Sequence, residues 1–227
     1  MKNYIEVLKK CPLFYNITEN DITTMLHCLD AKVVSFQKKE TIIAEGEAAK
    51  YIGIVLSGAV QIIQIDYFGN RNIVTDVKPS ELFGESFACA GIISIPVDVV
   101  ASTVTEILFI DCLRILHSCS NACIFHRHII YNIMKIVAMK NIMFHQKIEI
   151  TSKRSTKEKL IAYLLLQAKK HNSNSFEIPY NRQELADYLE VDRSGLSVEI
   201  SKLCHIGLIE ANKKNFKILK NINEHSM

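Results

Sequence analysis

The sequence predicts an α+β chain: an antiparallel β-roll of the jelly-roll kind with flanking helices, then one long helix, then a compact helical unit with a small hairpin. Three observations predict it. Short β-branched runs broken by turn residues recur from about Val33 to Ile110, which is the signature of short antiparallel strands. From about Asn121 to Ile150 there is no Pro or Gly, and apolar residues return at helical spacing. Beyond that stretch, Ser155-x-x-Glu158 and Asn181-x-x-Glu184 read as capping boxes, each opening a further helix.

Size and composition agree. With 227 residues the chain suits two domains and buries roughly 70% of its unfolded surface, so no disulfide or metal is needed to hold it. Charged residues at 22% and hydrophobic ones at 48% exclude a disordered chain. The longest apolar runs, such as Ile52–Leu56 and Leu160–Leu166, are far shorter than a membrane span requires. Residues Met1–Glu6 lack the apolar core of a signal peptide. Seven cysteines without regular spacing fit a reducing compartment. The expected location is cytoplasmic, with no membrane partner.

The elements follow in order. Thr18-x-x-Asp21 opens a helix running through Leu26. Ile52–Leu56 is a buried strand, turned by Ser57-Gly58 into Ala59–Ile65. Tyr67-Phe68-Gly69-Asn70 forms a hairpin tip before Asn72–Val77, and Val97–Ala101 and Glu106–Ile110 add two strands. In the long helix Ile129, Ile133, Ile136, Met143 and Ile150 fall near 3.5-residue spacing, interrupted at Lys140 and Lys147. A parallel homodimer seam is the preferred use of that stripe; a long helix packed within its own domain is the alternative. The polar Thr151–Arg154 is a candidate hinge, followed by a helix over Lys159–Lys169 and an edge strand at Phe176–Pro179. The domains are therefore expected at 1–118, 119–150 and 151–227.

Residues Asn181–Leu203 carry the most information. Asn181 and Glu184 cap a first helix whose Leu185 and Leu189 face inward, and the small Ala186 allows close approach of the next helix. Val191 fills the turn and Asp192 caps a second helix with a buried stripe at Leu196, Ile200 and Leu203. Arg193, Ser194, Ser197 and Ser201 lie on the other face. An Arg-led face with small hydroxyls suits the major groove, where Arg pairs with guanine O6 and N7. The alternative is an ordinary helical hairpin with a solvated face. Gly207-Leu208-Ile209, Lys213-Lys214-Asn215 and Phe216–Leu219 add a basic hairpin, or wing, and favour a helix-turn-helix. Glu190 stands where such turns want a glycine with positive φ, at a cost on the order of 1 kcal/mol. The charge is divided accordingly: residues 151–227 hold 13 Lys/Arg against 9 Asp/Glu, while residues 1–150 hold 14 against 15.

At this level the chain resembles the CRP/FNR superfamily of bacterial transcription regulators over nearly its whole length. The resemblance rests on Gly46, Val55-Leu56-Ser57-Gly58-Ala59-Val60, Leu82-Phe83-Gly84-Glu85-Ser86, Arg182-Gln183-Glu184-Leu185-Ala186 and Asp192-Arg193-Ser194. It implies a cyclic-nucleotide-binding-type β-roll, a dimerisation helix and a winged helix-turn-helix. It also implies double-stranded DNA, a second copy of the chain, a small-molecule effector and RNA polymerase as partners. DNA contacts are then expected from Arg182, Gln183, Arg193, Ser194, Ser197, Ser201, Lys213 and Lys214. Effector contacts are expected from Gly84, Glu85, Ser86, Cys89, Lys140 and Asn141.

The departures matter as much. Cyclic-AMP receptors of the family follow Gly-Glu with an Arg-Ser/Thr about ten residues later, because a buried phosphodiester needs a bidentate cation. Here Gly84-Glu85 is followed by Ser94-Ile95-Pro96-Val97-Asp98, with no Arg and an acidic residue. The effector is therefore expected not to be cAMP. Glu85 has two readings: it bonds an effector, or it satisfies backbone amides in the loop after Phe83. Lys140 likewise either closes the pocket or snorkels to solvent.

No cofactor or metal is expected. The close cysteine triplet of the oxygen-sensing branch is missing, with only Cys11 and Cys28 near the start. Cys119-x3-Cys123-x2-His126-x-His128 has metal-ligand residue types, but seating the start of the long helix is the simpler reading. An enzyme of the cupin type would need several His in the roll, and His27 stands alone in the first 110 residues. The expected function is a homodimeric, sequence-specific DNA-binding regulator with a small effector. A constitutive regulator and a cyclic-nucleotide-responsive one of the same family are the alternatives.

Overall fold

The computed structural model describes residues 4–65, 67, 71–116 and 124–219. It divides into two compact units, Met1–Lys140 and Asn141–Met227.

The first unit holds two four-stranded antiparallel sheets. One runs β1 (Lys32–Phe36), β8 (Thr105–Asp111), β3 (Tyr51–Ser57), β6 (Leu82–Phe83); the other runs β2 (Thr41–Ile43), β7 (Asp98–Ala101), β4 (Val60–Ile65), β5 (Arg71–Val77). The alternation in β3 explains both faces. Ile52, Ile54 and Leu56 point to a core shared with helices, while Val55 points to a core shared with the other sheet. A strand covered on both sides reads as a continuous apolar run, as Ile52–Leu56 does. Gly53 is required there: a Cβ would stand 2.1 Å from the ζ carbon of the buried Phe83 ring. Most of the hairpin tip expected at Tyr67–Asn70 lies outside the described residues.

Helices α1 (Ile5–Lys10) and α2 (Glu19–Cys28) cover the outer face. Only half of the Thr18 capping box forms. Thr18 Oγ accepts from Asp21 N, but the Asp21 carboxylate takes the Thr18 hydroxyl at 2.6 Å. Aspartate, one methylene shorter than glutamate, does not reach back to the capping amide.

Where the sequence suggests a loop after Phe83, the chain forms α3 (Glu85–Ala90), between Gly84 at φ 77° and Gly91 at φ 65°. Both glycines take left-handed backbone at no steric cost, which lets a six-residue helix start and stop abruptly. Helix α4 (Cys112–Leu116) follows β8.

The long helix is α5, Ile124–Thr151. Its expected seam needs correction. Ile129 and Ile133 are buried in the first unit's own core, Ile136 packs against it, and Ile150 is buried in the second unit's core. Of the five, only Met143 is exposed. An intradomain stripe and a dimer seam have nearly the same period, so spacing alone does not say which face meets which surface. The exposed apolar residues instead include Tyr131, Met134, Ala138 and Ile142, three or four residues apart. Cys119 and Cys123 lie outside the described residues. His126 is buried, its Nε2 3.2 Å from the Arg114 carbonyl, and His128 is exposed.

In the second unit, α6 (Thr156–His171), α7 (Arg182–Leu189) and α8 (Arg193–His205) pack around one core with a three-stranded sheet. Its order is β10 (Ile209–Asn212), β11 (Asn215–Ile218), β9 (Ser175–Glu177), so β9 is the expected edge strand. Both capping boxes there are complete: Ser155 with Glu158, and Asn181 with Glu184. Among the described residues no helix is long and apolar enough to cross a membrane.

Candidate nucleic-acid interface and the polar cluster at helix α3

Helix α8 presents an exposed polar face. Asp192 Oδ2 accepts from Gly195 N at 2.9 Å and from the Ser194 hydroxyl, which fixes the start of the helix. Those bonds hold the Asp192 carboxyl below its ordinary value. Leu196, Ile200 and Leu203 are buried, as the sequence predicts, and Arg193, Ser194 and Ser201 are exposed. Ser197 is half-buried, and its hydroxyl donates to the Arg193 carbonyl at 3.0 Å; Ser201 donates to the Ser197 carbonyl at the same distance. With their protons turned into the helix, both hydroxyls present acceptor lone pairs outward. Val198, 52% exposed on this face, presents an apolar surface of the size that meets a thymine methyl.

The remaining candidates divide by environment. Gln183 is exposed and donates to Asp187 at 2.8 Å. Arg182 is half-buried, its guanidinium 5.7 Å over the Phe216 ring, so it bolts α7 to the wing and offers only part of its donor fork outward. Lys213 is exposed at the hairpin turn. Lys214 is half-buried and donates to the Pro179 carbonyl at 2.6 Å, tying the wing to the segment before α7. These two neighbours, alike in sequence, therefore differ in what they can offer a polyanion.

The turn between α7 and α8 uses Glu190 in left-handed backbone, φ 54°, which is the strained conformation the sequence implies. Two lysines support it: Lys159 Nζ donates to the Glu190 carbonyl at 3.3 Å, and Lys147 Nζ lies 3.7 Å from its carboxylate. Glu190→Gly relieves the strain and forfeits the exposed ion pair, which is worth ~0–1 kcal/mol. The expected net gain is up to about 1 kcal/mol, read as a higher midpoint in urea unfolding. A lower midpoint would show that the lysine contacts outweigh the backbone strain.

In the first unit the Gly84-Glu85-Ser86 segment forms a built polar site. Glu85 is buried, 2% exposed. Its Oε1 meets Lys140 Nζ at 2.6 Å and accepts from Ser86 Oγ at 3.2 Å, and Lys140 also reaches the Leu82 carbonyl at 3.4 Å. Of the sequence alternatives, the structure replaces loop amides by the Lys140 ammonium as the partner of Glu85 Oε1, and Lys140 is held in that pair. The second carboxylate oxygen, Oε2, is buried without a hydrogen-bond partner. Asn141, the other α5 candidate, is exposed.

Farther along, Ile95 is buried where a phosphate-binding Arg is absent, and Asp98 Oδ1 accepts from Glu45 N at 2.8 Å. Cys89 is half-buried, with its Sγ 3.5 Å from that of Cys112. Nothing in the sequence signals that partner, which is 23 residues away. Among the described residues no group of three metal-ligating side chains forms.

Two family models match the regions that contain most of these residues. The cyclic nucleotide-binding domain model matches residues 33–117, and the Crp-like helix-turn-helix domain model matches residues 158–221. Together they take in more than half of the chain. The transcriptional activator protein FnrA of Stutzerimonas stutzeri is 25% identical over 194 residues, covering 82% of this chain and 76% of that protein. A CRP-like cAMP-activated global transcriptional regulator of Mycobacterium tuberculosis is 31% identical over 80 residues, 35% of each chain. The solved structure of the c-di-GMP-responsive global regulator CLP of Xanthomonas campestris aligns with a TM-score of 0.55 at 17% identity, covering 88% of this chain and 99% of that one.

Proposed function

The chain belongs to the CRP/FNR superfamily of DNA-binding transcription regulators, and from that premise we propose that it acts as a homodimer controlled by a small effector other than cAMP. The carrying observation is the exposed face of α8, led by Arg193 and set by the Asp192 cap. On an inverted repeat, two such helices enter successive major grooves about 34 Å apart. Arg193 reads guanine. Ser197 and Ser201, as outward acceptors, favour the amino groups of adenine or cytosine, and Val198 favours a thymine methyl. Lys213 neutralises a phosphate.

Homodimerisation is supported by the exposed Tyr131, Met134, Ala138 and Ile142 on α5, an apolar stripe that an isolated soluble helix would not leave to water. In this reading the parts act as an effector domain to about residue 118, a dimerisation helix over 119–150 and a DNA-binding domain from 151, with Thr151–Arg154 as hinge. The effector meets the orphaned Oε2 of Glu85 with a hydrogen-bond donor. It shifts the dimer between two arrangements only by its unequal affinity for them. The buried Ile95 and the acidic Asp98 disfavour a cyclic phosphate. Such a regulator works on the chromosome, in the cytoplasm, and needs no catalytic group.

Selection of bound duplexes from a random pool, with and without cell extract, tests this reading. The expected result is an inverted repeat whose recovery depends on a small molecule in the extract. A chain that stays monomeric and selects no sequence at low salt overturns it. Calorimetry with cAMP is expected to show no binding at micromolar concentration, and tight binding would overturn the effector assignment.

A further inference from the structure

The first unit holds a second chemical feature beside Glu85. Cys89 lies one helical turn after Glu85 on α3, so the two side chains share a face. Its sulfur is 3.5 Å from the sulfur of Cys112, the first residue of α4. Cys112 is buried, and its amide is anchored to the Lys50 carbonyl at 3.0 Å. The two cysteines are therefore unequal in setting: Cys89 is half-buried on a short helix held between two left-handed glycines, and Cys112 is fixed in the core.

We propose that Cys89 and Cys112 form an oxidant-responsive dithiol that closes to a disulfide when a hydroperoxide reaches Cys89. Cys89 is the nucleophile. Its thiolate attacks one peroxide oxygen, the O–O bond breaks, and the leaving oxygen departs as water after taking a proton, which leaves a sulfenic acid. Cys112 then attacks the Cys89 sulfur, the S–O bond breaks, and a second water leaves with the Cys112 proton. Two thiols and one hydroperoxide (hydrogen peroxide in the test) give one disulfide and two waters.

The electrostatics agree with this division of labour. The Cys112 contact pulls the Cys89 thiol below its ordinary value, against burial and the Glu85 charge, while the same contact and burial push Cys112 up.

Closure has a mechanical consequence. A disulfide is about 2.05 Å long, so the sulfurs must approach by roughly 1.5 Å, and α3 is the element that yields. Gly84 and Gly91 stand at its ends: a Cβ at Gly91 would meet nothing within 4 Å, while one at Gly84 would stand 3.1 Å from the Tyr51 carbonyl oxygen, so the end next to Cys89 is the one with room to turn. The movement displaces Glu85 against Lys140, now 2.6 Å away. Formation of the disulfide is independent of the regulatory reading above; its effect on DNA affinity rests on that reading.

The test treats the full-length, reduced protein with one equivalent of hydrogen peroxide, followed by alkylation and peptide mass spectrometry. The expected product is a Cys89–Cys112 crosslink, reversed by dithiothreitol and lost in Cys89→Ser. Cys112→Ser serves as the second variant, its folding checked by circular dichroism, and should trap the sulfenic acid on Cys89. The proposal is overturned if Cys28, which is exposed, oxidises while Cys89 and Cys112 both stay alkylatable, or if Cys89 proceeds to sulfinic acid with Cys112 free. Oxidised wild type should differ at least fivefold in operator affinity, and oxidised Cys89→Ser should not. Amide exchange across α3 and around Lys140 should also differ between the two redox forms. A crosslink that leaves both affinity and exchange unchanged sinks the coupling. A changed exchange pattern in a protein that binds no DNA sinks only the regulatory reading.

Discussion

Arg193→Ala weakens binding to the selected operator by ~1–3 kcal/mol per half-site and relaxes the preference at one base pair in each. Every 1.4 kcal/mol is a factor of ten, so the expected loss is about five- to 150-fold per half-site, read by fluorescence anisotropy. Two physical facts set the size. The side chain is exposed at the first position of α8, with a planar fork that matches guanine in two bonds. Arg193 is exposed and lies outside the core that Leu196, Ile200 and Leu203 join, so removing its side chain leaves that core untouched and the unfolding midpoint should not move. Lys213→Ala is the control. It should weaken all duplexes alike and reduce the salt dependence by about one counterion. If Arg193→Ala keeps full affinity and the same base preference, α8 does not read the groove.

The second large effect lies in the first unit. Lys140→Met leaves the Glu85 carboxylate, 3% exposed in its side chain, without its cation. Breaking a fully buried pair in this way costs ~3–5 kcal/mol; since Lys140 is itself 40% exposed, solvent screens the pair and ~1–3 kcal/mol is expected here. Urea unfolding measures it as a lower midpoint at constant slope. The double variant Glu85→Gln/Lys140→Met should be more stable than the sum of the single losses, because the orphaned charge is then gone. Strict additivity would mean that the two side chains lie side by side without energetic coupling, and that Lys140 merely reaches solvent.

Sequence and structure meet most closely where the signal is local. The Asn181–Glu184 and Ser155–Glu158 boxes, the Asp192 cap and the left-handed Glu190 are all fixed by residues within four positions of each other. The strands of the roll are legible for the same reason, since β-branched runs and turn residues act over a few positions. The short helix α3 escaped because six residues carry no full apolar period, and its two flanking glycines look like loop punctuation.

By itself, then, the sequence determined the order of the parts, the fold class, the buried stripe of α8 and the exposed residues, Arg193 first, that start it. Each of these follows from side-chain periodicity and capping, which are properties of neighbouring residues. Tertiary structure alone decided which stripe of α5 is buried, that Arg182 and Lys214 brace the wing while Lys213 stays free of that role, that Lys140 pairs with Glu85, and that Cys89 meets Cys112. Those are pairings between residues tens of positions apart. They arise when packing brings separate elements to one place, and no local pattern encodes which two side chains will then face each other.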